Sequence, residues 1–551
     1  MIKTITLTAN AESFADVGNF LNASVRNLGT ATVYASAESG VTPAADNVIC
    51  IKGGENALVR GICAAAEGSG GVWLLSASDC TVEVEGQDDT NFRQPSNLER
   101  IIVLEGKSRV YGVRFSGSSP EGVRYGAAEN MRAEISLNGA ACVNDFDTVP
   151  FYNRRICCCK WDAQGRKWKV NAYKGENGYA ADGTNGEVMY ECLPFYYRTD
   201  LNSFFEVSGT PLEGFTLAPM FRNGTDKVYC PSYWSSTVDG KATSRSRLAP
   251  TTASLNTHMA AMRGFDSKAH TETMKQRFSD YILQVVEFAT KNLKSVMTGA
   301  YRLAVNNLNL RIEAVISPSR FELNAAAAGC FRAGQSIAIG SAYGDADIAD
   351  NVIVRSCMDT GVVLESEVSG LAVGQYLTSR MWVNGMTDFI PYSSGTVIDN
   401  SGFYPCIWRG KCDPWGDACS PLCDVLIKRT AVSEGYSCEA YCLDEPWKYS
   451  GGTLTKDYFP CNMVVFGISS GYGKSFGADT RRSYVMLQNQ LGADENTYTT
   501  AYYNQPTFEL TVIAAGSTNG EAYGMLSPVR FSAVLPAAYS DAYAARLYLE
   551  E

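Results

Sequence analysis

The chain has 551 residues, past the size at which one hydrophobic core stops growing, so three or four domains are expected. Apolar residues make up 45% and charged residues 19%, which excludes a disordered tail and a membrane-resident chain. A formal charge of −11, from 47 basic and 58 acidic residues, leaves no basic stripe for phosphates and argues against a nucleic-acid partner.

Residues 1–10 (MIKTITLTAN) alternate apolar with Thr and read as an opening strand, not a secretory segment. The chain is therefore taken as mature from Met1. No window has the length of a transmembrane helix, so no membrane insertion is expected. Up to about residue 94, short alternating runs (ATVYASA, NVICI, GVWLLSA, CTVEVEG) between Gly, Asn, Asp and Ser clusters indicate a small β-sandwich-like domain, 1–94, with one helical window, AESFADVGNFLNA. Residues 95–100 read as a linker. A strand-rich, aromatic unit opens with IIVLEGKSRVYGVRF and occupies 101–300.

The clearest helix spans about 271–292, where Phe278, Ile282, Val285 and Ala289 recur at three- and four-residue spacing and Tyr281, Val286 and Phe288 widen the stripe. Residues 301–380 are strand-like and read as an inserted β-module; 381–551 form an irregular aromatic region rich in Gly, Asn, Asp and Tyr. The expected class is multidomain, mainly β with α+β. Neither a heptad run nor a solenoid-length repeat is visible.

The 18 cysteines are diluted over a long chain and read as mostly reduced thiols. Neighbouring residues of a strand face opposite sides, so Cys157, Cys158 and Cys159 cannot all converge on one ion and read as small buried hydrophobes. Cys438 and Cys442, at i and i+4, would share a helix face. Cys412, Cys419 and Cys423 lie nearby, but no CxxC pair and no histidine accompany them, so no zinc site is expected. With two histidines, His258 and His270, histidine-based catalysis has little to draw on. Trp415 and Gly416 read as a buried aromatic on a tight turn approached through Pro414. Asp413, Asp417 and Asp424 offer oxygen ligands for Ca²⁺ without matching an EF-type loop. Asp444 and Glu445 are adjacent acids that read as solvated. No cofactor and no metal is expected.

Several blocks, in order, carry a resemblance. Residues 31–87 resemble the N-terminal module of phage and prophage tail-fibre proteins. VYGVRF (110–115), FDTVPFY (146–152), GEVMYECLPFYY (186–197), VVEFAT (285–290) and YPCIWRGKCDPWGDACSPLCDVLIKR (404–429) resemble successive blocks of the receptor-binding part of such fibres. GSTNGEAYGMLSPVRFSAVLPAAYSDAYAARL (516–547) resembles its terminal ligand-binding segment. Two departures stand out: Asp417 replaces the family's Asn after Trp-Gly, and VIAA (512–515) stands where Arg-x-Gly-Gly is usual.

The resemblance implies a C-type-lectin-like domain, related in fold to formylglycine-generating enzymes, formed by 101–300 and 381–551 around the inserted module and ending in a ligand-binding segment, 512–547. It implies further that 1–94 attaches to the virion tail or baseplate, that the chain is a homotrimer located in the virion tail after synthesis in the bacterial cytoplasm, and that the partner is a bacterial surface receptor, protein or glycan. Members of this family include proteins whose terminal segment is rewritten by a diversity-generating retroelement at Asn codons, and the Asn-poor mixture here has that composition. The candidate ligand-binding residues are Ser517, Thr518, Asn519, Glu521, Tyr523, Ser527, Arg530, Phe531, Tyr539, Asp541 and Tyr543, a mixture of rigid aromatic area and adaptable hydrogen bonding of the kind paratopes use. The same aromatics also fit strand residues buried between sheets. The segment YTTAYYN (498–504) is expected on the same face, while Arg546 and Leu547 are assigned to structure. The resulting expectation is a non-enzymatic receptor-binding protein. The alternatives are an oxidase of the formylglycine-generating type using Cys419 and Cys423, and a glycan-cleaving tailspike.

Overall fold

The computed structural model describes residues 2–10, 13–18, 22–28, 30–36, 49–52, 56–60, 70–76, 80–87, 110–116, 119–222, 224–297, 299–300, 310–329, 331–342, 344–388, 390, 394–396, 404–432, 435–462, 471–492, 502–504, 509–516, 531–534, 537 and 543–550. The chain divides into two compact units, Met1–Ser108 and Arg109–Glu551, and is mainly β.

In the first unit the described strands form two antiparallel four-stranded sheets. One runs Ile2–Leu7, Cys80–Gln87, Asn22–Asn27, Asn56–Arg60; the other runs Ser13–Gly18, Gly70–Ser76, Val33–Ser36, Ile49–Ile51. In chain order these are 1-8-3-6 and 2-7-4-5, the order of an eight-stranded jelly roll. Alternation places Leu7, Val25, Val33, Ala35, Leu74 and Val82 in the interior. Buried Asn27 ties two segments together, its Nδ2 donating to Ala31 O at 2.6 Å and Ile51 O at 3.0 Å. The helical window expected over AESFADVGNFLNA is instead the strand Ser13–Gly18. Its pairing with Gly70–Ser76 slips between Asp16 and Gly18, and such a bulge disguises a period of two.

The second unit is organised around helix α2, Met274–Phe288, which comes after α1, Leu255–Phe265. Thr273 and Gln276 form a capping box at the start of α2. Asp424 accepts from the Met274 amide at 3.0 Å on both oxygens, and Ala289 closes the helix in the left-handed region at φ 53°. The apolar stripe packs on a five-stranded sheet ordered Gly122–Gly126, Tyr111–Phe115, Phe204–Ser208, Tyr196–Thr199, Thr216–Leu217. Tyr281 meets Phe205 and Phe278 meets Tyr197 edge-on, at 5.9 and 5.2 Å between centroids. Residues 310–382 build a six-stranded sheet over their own core, which includes Phe321, Phe331, Ile337, Ile339, Val354 and Leu377.

The described cysteines of this unit are free thiols. Cys157, Cys158 and Cys159 lie fully buried on strand Ile156–Asp162. The first and third are side by side, 3.3 Å apart at sulfur, while Cys158 faces the other way and donates to Ala180 O at 3.2 Å. Cys438 and Cys442 sit on the strand Gly435–Leu443 and not on a helix. Trp415 is buried and donates from Nε1 to Met297 O at 3.2 Å. Beside it Gly416 has φ 105°, and a Cβ there would stand 2.4 Å from Ala300 O, so the turn admits only glycine.

Candidate functional site

The terminal segment is built into an eight-stranded sheet ordered Tyr458–Pro460, Gly435–Leu443, Cys419–Val432, Leu510–Gly516, Phe531–Val534, Tyr502–Asn504, Gly471–Ala478, Met486–Gly492. Leu510–Gly516 pairs with Cys419–Val432 on one side (Leu426 opposite Val512) and with Phe531–Val534 on the other (Ala514 opposite Ser532), both antiparallel. Residues 517–530 thus connect two neighbouring strands, and Tyr502–Asn504 runs parallel to the returning one, with Tyr503 opposite Phe531. Of the candidate ligand-binding residues, Phe531 and Tyr543 fall on described positions. Ser517, Thr518, Asn519, Glu521, Tyr523, Ser527, Arg530, Tyr539 and Asp541 lie outside the described residues, as do 498–501 of the preceding segment.

Tyr543 is held by its backbone. It bridges to Cys419, and its carbonyl accepts from Ala253 N at 3.0 Å and lies 3.1 Å from His258 Nε2. Burial pushes His258 down to about 4, so the ring is neutral at pH 7 and Nε2 carries the proton that this carbonyl accepts. The Tyr543 ring is half-buried against a cluster containing Leu255, Met259, Leu426 and Val512, so packing claims much of its surface.

The chain beyond Tyr543 is clamped. Arg546, fully buried, donates to Ser232 O (3.0 Å), Cys412 O (2.6 Å) and Asp413 O (2.7 Å), and its guanidinium lies 4.1 Å from the Trp234 ring centre. Leu547 is in the core. Tyr548 exchanges backbone hydrogen bonds with His270, both at 3.0 Å, and Glu550 pairs with Arg222. These contacts give Arg546 and Leu547 the structural roles expected of them.

Beneath this scaffold the polar side of α2, with Glu272 just before it, is buried in charge pairs. Glu272 meets Arg277 and Lys411, each at 2.6 Å; Asp280 meets Arg154 at 2.8 Å and Lys411 at 3.0 Å. Glu287 receives Arg409, Asn144 and Trp408 Nε1. Burial works to raise the Glu272 carboxyl, but the charges of Arg277 and Lys411 overcome it and hold the group at about 2. The signal in the sequence was Arg277, Asp280 and Glu287 at helical spacing; their partners Pro414, Lys411 and Arg409 on the 404–429 block could be found only in three dimensions.

The remaining candidates are occupied structurally. Asp413 accepts from Trp234 Nε1 at 3.2 Å and Asp417 from Trp382 N at 2.5 Å. Among the described residues no group of three His, Cys, Asp or Glu is placed to hold a metal ion. Asp444 takes two bonds of 2.7 Å from Arg482, and Glu445 pairs with Lys448 at 2.5 Å. They are thus ion-paired acids, not simply solvated ones. Cys419 and Cys423 are buried, and burial raises the Cys423 thiol, the wrong direction for a nucleophile. No described helix is long and apolar enough to cross a membrane.

No known protein family matches the chain, and no curated protein does. Among solved structures, a solution NMR structure of a de novo designed double-stranded beta-helix aligns over 16% of this chain and 99% of its own length, at 12% identity and a TM-score of 0.12. A likeness at that score carries no argument about fold or function.

Proposed function

We propose that the chain is a tail-fibre receptor-binding protein of a phage or prophage, with a C-type-lectin-like second unit that recognises a bacterial surface ligand through its terminal segment. The observation that carries this reading is the framing of residues 517–530 and 535–542. The strands Leu510–Gly516 and Phe531–Val534 and the Arg546 clamp fix their flanks in one sheet and core, and segments carried on a rigid scaffold are where binding residues concentrate. The ordered blocks resembling tail fibres supply the receptor class. In this reading the jelly-roll unit attaches to the virion, the chain is a homotrimer, and multivalency strengthens weak single-site contacts. Retroelement diversification would act on the same segment, and no catalysis is assigned.

The test is a binding assay of fluorescently labelled full-length chain against a panel of gut bacterial strains. Saturable, strain-selective binding is expected. Binding to no strain, or equal binding to all, would count against the proposal.

A further inference from the structure

Away from the terminal segment, a cleft of about 530 Å³ opens between the six-stranded module and the turn after strand Lys241–Thr243, within the roughly 300–1,000 Å³ usual for small-ligand sites. Its lips are tied by backbone bonds, Arg247 N to Asn384 O at 2.9 Å and Asn384 N to Leu248 O at 3.1 Å. Gly385, at φ 95°, closes the floor: a Cβ there would lie 2.7 Å from Ser246 Cβ. Arg247 itself adopts φ 63°, a strained conformation of the kind that gathers at ligand sites.

The polar groups facing this space are held but not satisfied. Ser246 is only 6% exposed, its amide donates to Ala181 O, and its Oγ has no protein partner among the described residues. Asn384, 8% exposed, commits Nδ2 to Trp234 O at 2.7 Å and leaves Oδ1 without a partner among the described residues. Asp388 accepts from the Tyr233 hydroxyl on Oδ1, with Oδ2 turned to the cleft floor. Val383 and Met386 supply apolar surface.

We propose that this cleft binds a neutral saccharide unit, whose adjacent hydroxyls pair with Ser246 Oγ, Asn384 Oδ1 and Asp388 while its apolar ring face rests on Val383 and Met386. The alternatives fail on charge and solvation. A purely apolar ligand would cut Ser246 Oγ and Asn384 Oδ1 off from water without replacing their hydrogen bonds, which costs free energy. An anion would face Asp388 and Glu365, and a cation would face Arg247 and Lys174, whose Nζ donates to Asp388 O at 2.6 Å. With Arg247 and Glu365 both exposed and opposite in sign, the rim favours neither charge. The inference does not rest on the tail-fibre reading, since none of these residues belongs to the terminal segment.

The experiment is saturation-transfer NMR and titration calorimetry on the full chain, using methyl glycosides of glucose, galactose, mannose and N-acetylglucosamine, with methyl glucuronide and spermidine as charged probes. At least one neutral glycoside is expected to saturate a single site. Ser246→Ala keeps the backbone bond and Asp388→Asn keeps an acceptor for Tyr233; each is expected to weaken binding tenfold or more at an unchanged melting temperature. Glu365→Trp, an exposed rim change, is expected to block entry and serves if the buried variants misfold. The proposal is overturned if no neutral glycoside binds, if only a charged probe binds, or if all folded variants bind like the parent.

Discussion

Glu287 tests whether the buried charges of α2 hold the second unit together. Its two oxygens accept four hydrogen bonds: Asn144 Nδ2 and Arg409 Nη2 at 2.7 Å on Oε1, Trp408 Nε1 and Arg409 Nε at 2.9 Å on Oε2. Glu287→Gln preserves the shape but replaces one oxygen with an amide that donates, so two donors lose their acceptor whichever way the amide turns. The substitution also takes from the Arg409 guanidinium its fully buried counter-charge, whereas Asp147, at 3.0 Å, is partly exposed. Breaking one side of a buried pair costs about 3–5 kcal/mol, a hundredfold or more in the folded-to-unfolded ratio. Replacing both partners with apolar residues (Glu287→Leu with Arg409→Met) removes the uncompensated charge and is expected to cost less than Glu287→Leu alone. Urea unfolding followed by tryptophan fluorescence, with Trp408 as a local reporter, measures both. A Glu287→Gln loss below about 1 kcal/mol, or a double variant that costs more than Glu287→Leu alone, would refute the reasoning.

Three further predictions rest on single residues. Burial pushes the Asp424 carboxyl from 3.8 up to about 7; a raised folded value means that stability present below pH 3.8 is lost as pH rises through about 7, so Asp424→Asn, which keeps an acceptor for the Met274 amide, should gain on the parent between pH 5 and 8 in pH-resolved urea melts. Gly416→Ala combines φ 105° with an approach of 2.4 Å to Ala300 O and should cost at least about 2 kcal/mol, read as a lower melting temperature. Tyr543→Ala should cost about 2 kcal/mol by thermal melting, roughly half the loss of a fully buried aromatic, so weakened ligand binding in that variant would not by itself assign Tyr543 to recognition.

Features with one dominant physical cause were legible in the sequence. The stripe through Phe278, Ile282 and Val285 has a single outcome, a helix against a sheet, and Trp415-Gly416 in its Asp-Pro context is a turn because the backbone there excludes any Cβ. Short range misled where local pattern met tertiary pairing: Phe14 and Val17 are spaced like a helix face but belong to a bulged strand, and Cys438 and Cys442 share a strand face. The buried ion pairs escaped because a polar stripe has the same appearance whether water or Arg409 and Lys411 cover it. Tyr543 shows the same ambiguity in the site, since composition cannot separate an aromatic offered to a ligand from one that closes a core. The clamp at Arg546 also makes the terminal segment integral to the fold, so point substitutions test recognition more cleanly than truncation.

The central claim is that recognition resides in the terminal segment, and it is tested most directly by comparing the parent with a Tyr523→Ala and Tyr539→Ala double variant on a strain that the full chain binds. The account predicts at least a tenfold loss of cell binding with oligomeric state and melting temperature unchanged. Undiminished binding by the folded double variant would contradict it.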